Sequence, residues 1–306
     1  MLHRLAGRPG FGVIRGVKLL CRLVGMSRQN YYQQRRLREA KGVEEELVLE
    51  LVRQERMRQP RLGGRKLWWL TCGELQAAGV VLGRDRFFGV LRGHGLLVPR
   101  RRRSCRTTES RHGFKVYMNL AKDLALTGPY QLLVSDITYV RTWEGFLYWA
   151  LVMDAWSRKI VGYDCSDTLE SQGARRALQQ ALGQLPSGAV TMHHSDRGTQ
   201  YCCGEYVGML LEAGLTISMT QENHCYENAK AERLNGILKQ EYGLGETLAS
   251  KAQALAMVDE AVTLYNGHRP HEALGYRCPA QVHAEGAPRP EAAAPGRGVS
   301  CPLLAP

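Results

Sequence analysis

Three acidic residues, Asp136, Asp196 and Glu232, have the types and settings that metal-dependent phosphoryl chemistry needs. Asp136 interrupts the strand-like run Leu132-Leu133-Val134-Ser135-Asp136-Ile137-Thr138-Tyr139-Val140. A carboxylate buried without a partner in such a run costs several kcal/mol, so it demands a compensating neighbour or a function. Asp196 ends the apolar stretch that leads into HHSDRGTQY, where Arg197-Gly198 reads as a turn. Glu232 follows after 35 intervening residues, early in the helix-like segment NAKAERLNGILKQEY. A strand interior, a strand end and a helix start can converge on one point. Three carboxylates meeting there suit Mg²⁺, a hard cation that takes carboxylate, water and phosphate oxygens. A pair of such ions about 4 Å apart clamps the attacking and leaving oxygens of an in-line displacement. The plainer alternative is that each acid is separately salt-bridged or sits at a sheet edge, and spacing alone leaves that open.

The residues around the acids add a second line. YQLLVSDITYVR, HHSDRGTQY and CYENAKAERLNGILKQE resemble the matching blocks of DDE transposases of the insertion-sequence-three family, second-reading-frame type. LYNGHRPHEALGYRCPAQV is similar to that family's post-catalytic block, and the resemblance runs in order from about Leu19 to about Val282. It implies a DDE integrase core that cuts DNA strands and transfers them, with no covalent protein–DNA intermediate. By the same resemblance Asp136 would bridge two Mg²⁺ ions, Mn²⁺ would substitute, and Asp196 and Glu232 would each complete one ion's shell. The implied partners are double-stranded DNA at element ends and target, further copies of the chain on that DNA, and an upstream-frame product, as partner or fusion. Arg197 and Lys239 are candidates for holding phosphates, with ordinary surface charge as their alternative. For Arg269 and His271 a loop tied down by hydrogen bonds is the expectation. Ser135 departs from the residues that often precede the first Asp in the family. No sustained heptad pattern of the upstream-frame kind is present, so the chain reads as the catalytic portion or as a solitary product with altered activity. An RNase H-like nuclease that cuts without joining is one rival reading, against which the NAKAERLNGILK and YNGHRPHEALGY blocks speak. A non-catalytic DNA-binding remnant is the other, disfavoured by three intact acids.

The elements that must position the acids can be read from periodicity. YQLLVSDITYVR and FLYWALVMDAWSRKIVGYDC read as three adjacent strands, with turns at Trp143-Glu144-Gly145 and Trp156-Ser157. SQGARRALQQALGQL reads as a helix, AVTMHHSD as a strand, GEYVGMLLEAG as a helix and LTISMT as a strand, before the helix of Glu232. That order predicts an α/β, RNase H-like core with a mixed sheet. Ahead of it lie two helix–turn–helix candidates. In the first, Leu19, Leu20, Leu23 and Val24 recur at helical spacing, Gly25 makes the turn and Ser27 caps a second helix. That helix presents Arg28, Gln29, Asn30, Arg35 and Arg36 to phosphates or base edges. In the second, Leu67, Leu70 and Leu75 face inward, Gly79 breaks the helix, and a helix from Arg84 to Arg92 carries Phe87, Phe88 and Leu91. Between them VEEELVLELVRQERMRQ reads as a separate amphipathic helix with an acidic start.

Charge follows the same division. Residues 1–115 hold 26 Lys/Arg and 9 Asp/Glu, net +17, and residues 116–306 hold 15 and 20, net −5. A basic half joined to a mildly acidic half is the asymmetry of a polyanion grip linked to a metal-binding unit. Arg100, Arg101, Arg102 and Arg103 repel one another and read as an extended, phosphate-seeking linker. The expected domains are 1–60 and 61–115, both helical, the core at 125–285 and a structureless tail over 286–306. The tail expectation rests on the Ala-, Pro- and Gly-rich run after Pro279. Nine scattered cysteines form no C-x-x-C pair, and their odd number argues against a closed disulfide framework. His193-His194 near Cys202-Cys203, and His268 near His271, lack a second half at zinc-finger spacing, so free cytosolic thiols are the better account. No run approaches the roughly 18 apolar residues of a membrane span, and no secretory-type stretch opens the chain, so a cytoplasmic, nucleoid-associated location is expected.

Overall fold

The computed structural model describes residues 17–99, 113–122, 124–221 and 228–286. The strand readings resolve into a six-stranded mixed sheet ordered β3-β2-β1-β4-β5. Here β1 is Leu132–Thr142, β2 Gly145–Asp154, β3 Ile160–Ser166, β4 Met192–Ser195 and β5 Thr216–Met219. β1, β2 and β3 run antiparallel through two tight turns, whereas β1, β4 and β5 run parallel. A two-residue strand β6, Thr247–Leu248, pairs with the far end of β1 and is too short to leave a period in the sequence.

Alternation along β1 splits the core into two layers. Leu132, Val134 and Val140 join the cluster that contains Leu234, Ile237, Leu238, Val258 and Tyr265. Leu133 joins the other, with Ala174, Ala177, Leu178, Tyr206 and Leu210. The second layer is built by α5 (Ser171–Leu182), α6 (Thr199–Cys202) and α7 (Gly204–Glu212). α5 lies so close to β3 that a Cβ at Gly162 would stand 2.0 Å from the Ala177 carbonyl oxygen. The first layer is built by α8 (Ala229–Glu241) and α9 (Lys251–Gly267).

The helical unit ahead of the sheet comprises α1 (Val17–Leu23), α2 (Arg28–Arg58), α3 (Gly64–Ala77) and α4 (Arg84–Gly93). Gly25 makes the first turn at φ 67°, and the Ser27 hydroxyl accepts from Asn30 N at 3.1 Å. Two expectations need correction here. The recognition-type helix and the separate amphipathic helix are one continuous 31-residue helix, α2. Gly42 costs about 1 kcal/mol in a helix interior, too little to break it. The apolar stripe of the first hairpin is also not a core face: Leu19, Leu23 and Val24 are exposed, and only Cys21 of α1 is buried. The second hairpin is packed as read, with Leu67, Leu75, Phe87 and Leu91 buried against Val48 and Val52 of α2. Segments on both sides of residue 60 therefore share one core.

One more short helix lies at the end of the expected core. Pro279 opens a helix, α10 (Pro279–Glu285), where a missing N–H at the first position costs nothing. α10 is clasped to the sheet by a fully buried Asp154 at the end of β2. Asp154 accepts from Tyr130 N (2.7 Å), Ser157 N (2.7 Å) and the Ser157 hydroxyl (2.6 Å), and that hydroxyl also meets His283 Nδ1 at 2.9 Å. Burial pushes the Asp154 carboxyl upward, but these donors and His283 outweigh it and hold the pKa below the ordinary value. Residues 287–306 lie outside the described residues.

Candidate active site

β1 and β4 set the two aspartates side by side. Their parallel register pairs Val134 with His194, each two residues before an acid. Period-two alternation turns Asp136 to the face that carries Val134, the face covered by α8, and Asp196 follows directly on the end of β4. Glu232 lies in the first turn of α8, exposed to solvent. Asn235, one turn further on, donates through Nδ2 to Asp136 Oδ2 at 2.7 Å. Asn228, just ahead of α8, donates to the Ser135 carbonyl at 2.9 Å. These two amides dock the start of α8 on the middle of β1.

Electrostatics link the acids. The Asp136 pKa is pushed up to about 8, first by burial, then by the charge of Asp196 and to a smaller degree by Glu232. The Ile137 amide (2.9 Å) and Asn235 act against this but do not cancel it. Tyr201, buried between the same charges, has its hydroxyl pushed well above its ordinary value by burial, Tyr206, Asp136 and Asp196. Asp196 Oδ1 accepts from Gly198 N at 3.0 Å, which shapes the turn after β4. Both oxygens of Asp136 and one of Asp196 thus face protein donors. Among the described residues no group of three or more His, Cys, Asp or Glu is gathered tightly enough to hold a metal ion. The donor chemistry nevertheless fits a hard cation: all three side chains are carboxylates, and their mutual repulsion is what a divalent ion would relieve.

The remaining candidates fall in different places. Arg197 Nε donates to the Thr220 carbonyl at 2.7 Å and braces the strand ends. Lys239 lies 4.0 Å above the Tyr139 ring, and burial lowers its pKa against the pull of Tyr139 and Asp136. Arg28, Gln29, Asn30, Arg35 and Arg36 are all exposed on the first turns of α2. Arg100–Arg103 lie outside the described residues. Three histidines of the zinc reading meet oxygen partners, His268 through Nε2 on Glu55 Oε2 at 2.8 Å. His193 Nε2 meets Ser135 Oγ (2.8 Å) and Tyr206 Oη (2.9 Å), and His194 Nδ1 meets Ser218 Oγ (2.9 Å). Burial, then His194, pushes the His193 pKa down to about 3, so it is neutral in the sheet interior.

Sequence reasoning missed Asn228 and Asn235, although both stand in the segment that carries Glu232. It also missed Glu241 at the other end of α8. Glu241 receives the Arg269 fork at 2.7 and 2.9 Å and Lys66 of α3 at 2.5 Å. The loop block with Arg269 thereby ties the helical unit to the helix of Glu232. No helix among the described residues is long and apolar enough to cross a membrane.

Sheet order, paired aspartates and the overlying helix define an α/β RNase H-like catalytic core, and residues 127–225 and 213–279 each match a family described as integrase core domain. The chain is 33% identical over 276 residues to transposase InsF for insertion sequence IS3A of Escherichia coli K12, covering 87% of this chain and 93% of that one. It is likewise 33% identical over 265 residues to the insertion element IS600 31 kDa protein of Shigella sonnei, covering 85% and 96%. Among solved structures, the HTLV-2 integrase catalytic core domain in complex with magnesium aligns with a TM-score of 0.41 at 16% identity, over 51% of this chain and 97% of that one. The chain belongs to the insertion-sequence-three family of transposases, and its reaction class is polynucleotidyl transfer.

Proposed function

We propose that Asp136, Asp196 and Glu232 are the catalytic acids of DNA strand cleavage and strand transfer, and that they hold two Mg²⁺ ions for which Mn²⁺ substitutes. The observation that carries this is the placement of a half-buried Asp136 on β1 beside the end of β4 that leads into Asp196, under the helix whose first turn holds Glu232 and whose Asn235 binds Asp136. When bound, such ions supply activation of a water or a DNA 3′-hydroxyl and stabilisation of the departing 3′-oxygen. The protein's own part is placement. β1 and β4 fix the two aspartates in one register, and Asn235 orients the Asp136 carboxylate from α8. Lys239, stacked on Tyr139 and within the field of Asp136, is placed to meet a phosphate at the edge of the site. Arg28, Arg35, Arg36 and the Arg100–Arg103 run take the flanking duplex. Arg197, held by Thr220, positions the Asp196 turn and contacts DNA less directly. The partners are element ends and target DNA, with further copies of the chain and an upstream-frame product assembled on them. The work is done in the cytoplasm, where a bacterial chromosome is reached.

Glu232→Gln tests this reading. The side chain is exposed, so folding survives, and loss of an acid does not weaken phosphate binding. Labelled element ends in Mg²⁺ are expected to stay bound but neither cut nor joined. Near-normal rates of either reaction in the variant remove Glu232 from the catalytic set. Cutting without joining by the parent chain selects the nuclease reading, and binding alone selects the remnant.

A further inference from the structure

The helical unit carries a cleft of about 490 Å³ that has no part in the chemistry above, lined by Arg65, Arg84, Asp85, Phe88 and Arg92. Arg84, Phe88 and Arg92 stand at i, i+4 and i+8 of α4, one stripe about 12 Å long at the helical rise of about 1.5 Å per residue. Arg65 enters from the second residue of α3. Gly64 admits the half-buried Phe88 ring there, since a Cβ at Gly64 would lie 3.1 Å from it. Arg84 and Arg92 are exposed. Arg84 is paired with Asp85 at 3.1 Å, and Arg65 is held by Glu272 and Tyr276. With Glu272 counted against Arg65 and Asp85 against Arg84, three guanidinium groups face two carboxylates, a net of +1 (3 − 2). Exposed pairs of this kind contribute at most about 1 kcal/mol, so an incoming anion competes for Arg84 at little cost.

We propose that this cleft grips the sugar–phosphate backbone of duplex DNA, with Arg84 and Arg92 on phosphates and Phe88 beneath the sugars between them. The proposal rests on the reading of the chain as an enzyme that acts on DNA. A guanidinium fork matches phosphate oxygens in geometry as well as charge. One strand carries a charge per about 3.4 Å of axis, so a 12 Å stripe spans three to four phosphates. The exposed rim suits a polymer that runs on past the cleft, whereas small-ligand sites enclose most of their ligand.

The test is Arg84→Ala/Arg92→Ala in the full chain, measured as duplex-oligonucleotide affinity against salt concentration. Each phosphate contact contributes about 0.9 to the slope of log K on log salt, so the slope should become shallower by about two units. Arg53→Ala/Arg58→Ala is the control: both arginines sit on α2 outside the cleft, paired with Glu50 and Glu55. An unchanged slope in the cleft variant, or an equal change in the control, overturns the proposal. Tighter binding of an RNA duplex of the same sequence overturns the choice of DNA. Cleavage by Glu232→Gln is read separately: its persistence sinks the catalytic assignment and leaves the cleft standing, and an unchanged slope does the reverse.

Discussion

Asp136, one of the acids proposed as catalytic, burdens the fold that holds it. Its carboxyl ionises near 3.8 in an unfolded chain and at about 8 in the folded one, chiefly through burial and then through Asp196. Between those values the folded state binds more protons, so stability falls as pH rises through the window from about 4 to 8. Asp136→Asn removes the charge but leaves one acceptor oxygen for two N–H donors, Ile137 and Asn235. The variant should therefore gain on the parent as pH rises. In metal-free buffer the difference in melting temperature, variant minus parent, is expected to grow steadily from pH 5 to pH 8.5. Added Mg²⁺ at pH 8 is expected to raise the parent's melting temperature and to leave the variant's nearly unchanged, since binding only the folded state stabilises it. A pH-independent difference would show that Asp136 does not carry the buried charge.

At the level of elements, the decisive one is α8, which holds Glu232 in its first turn and Glu241 in its last. Burial pushes Glu241 up, and the Arg269 fork and Lys66 outweigh it, keeping the carboxylate ionised below its ordinary value. Removing one partner of a buried pair costs about 3–5 kcal/mol because the other charge is left unmatched. Arg269→Ala is expected near the lower end, about 3 kcal/mol, because Lys66 remains, and Arg269→Lys is expected to cost less. Denaturant midpoints with unchanged m-values read this directly; a loss below about 1 kcal/mol for Arg269→Ala would mean that the network does not brace α8. These elements were unequally legible in the sequence. The strands of the core showed themselves because the apolar and β-branched runs of Leu132–Val140 and of β2 are strong signals. The acids showed themselves because a carboxylate inside such a strand violates its pattern. The 31-residue α2 was split because its middle is charged and contains Gly42, and helical continuity outweighed both. α10 was not read as a helix because the Ala-, Pro- and Gly-rich composition that follows it masks so short an element. Glu241 and Arg269 were not joined, since a pair 28 residues apart leaves no local period.

On the scale of the whole molecule, charge divides the chain where structure does not. Residues 1–115 carry +17 and residues 116–306 carry −5. Yet the helical unit is fastened to the core by Lys66–Glu241, Arg61–Glu246, Glu55–His268 and the Trp69–Tyr276 stack. Cutting the chain near Lys115 would therefore remove the basic half and also uncover Glu241 and the buried Tyr242, confusing lost grip with lost fold. Charge reversal at exposed positions separates the two. Arg35→Glu/Arg36→Glu changes the basic half by four units, from +17 to +13 (17 − 4), at exposed sites on α2 ahead of its contact with the packed hairpin. Exposed substitutions of this kind usually alter stability by no more than about 0.5 kcal/mol, so the melting temperature should hold. Duplex affinity should fall and its salt dependence should become shallower, because fewer counterions are released on binding. The proposed catalytic acids lie elsewhere, on β1, after β4 and on α8, so cleavage per bound complex at saturating DNA should match the parent. Unchanged affinity and slope would take the first hairpin off the DNA, and a lower rate at saturation would mean that these arginines also help seat the scissile strand at Asp136, Asp196 and Glu232.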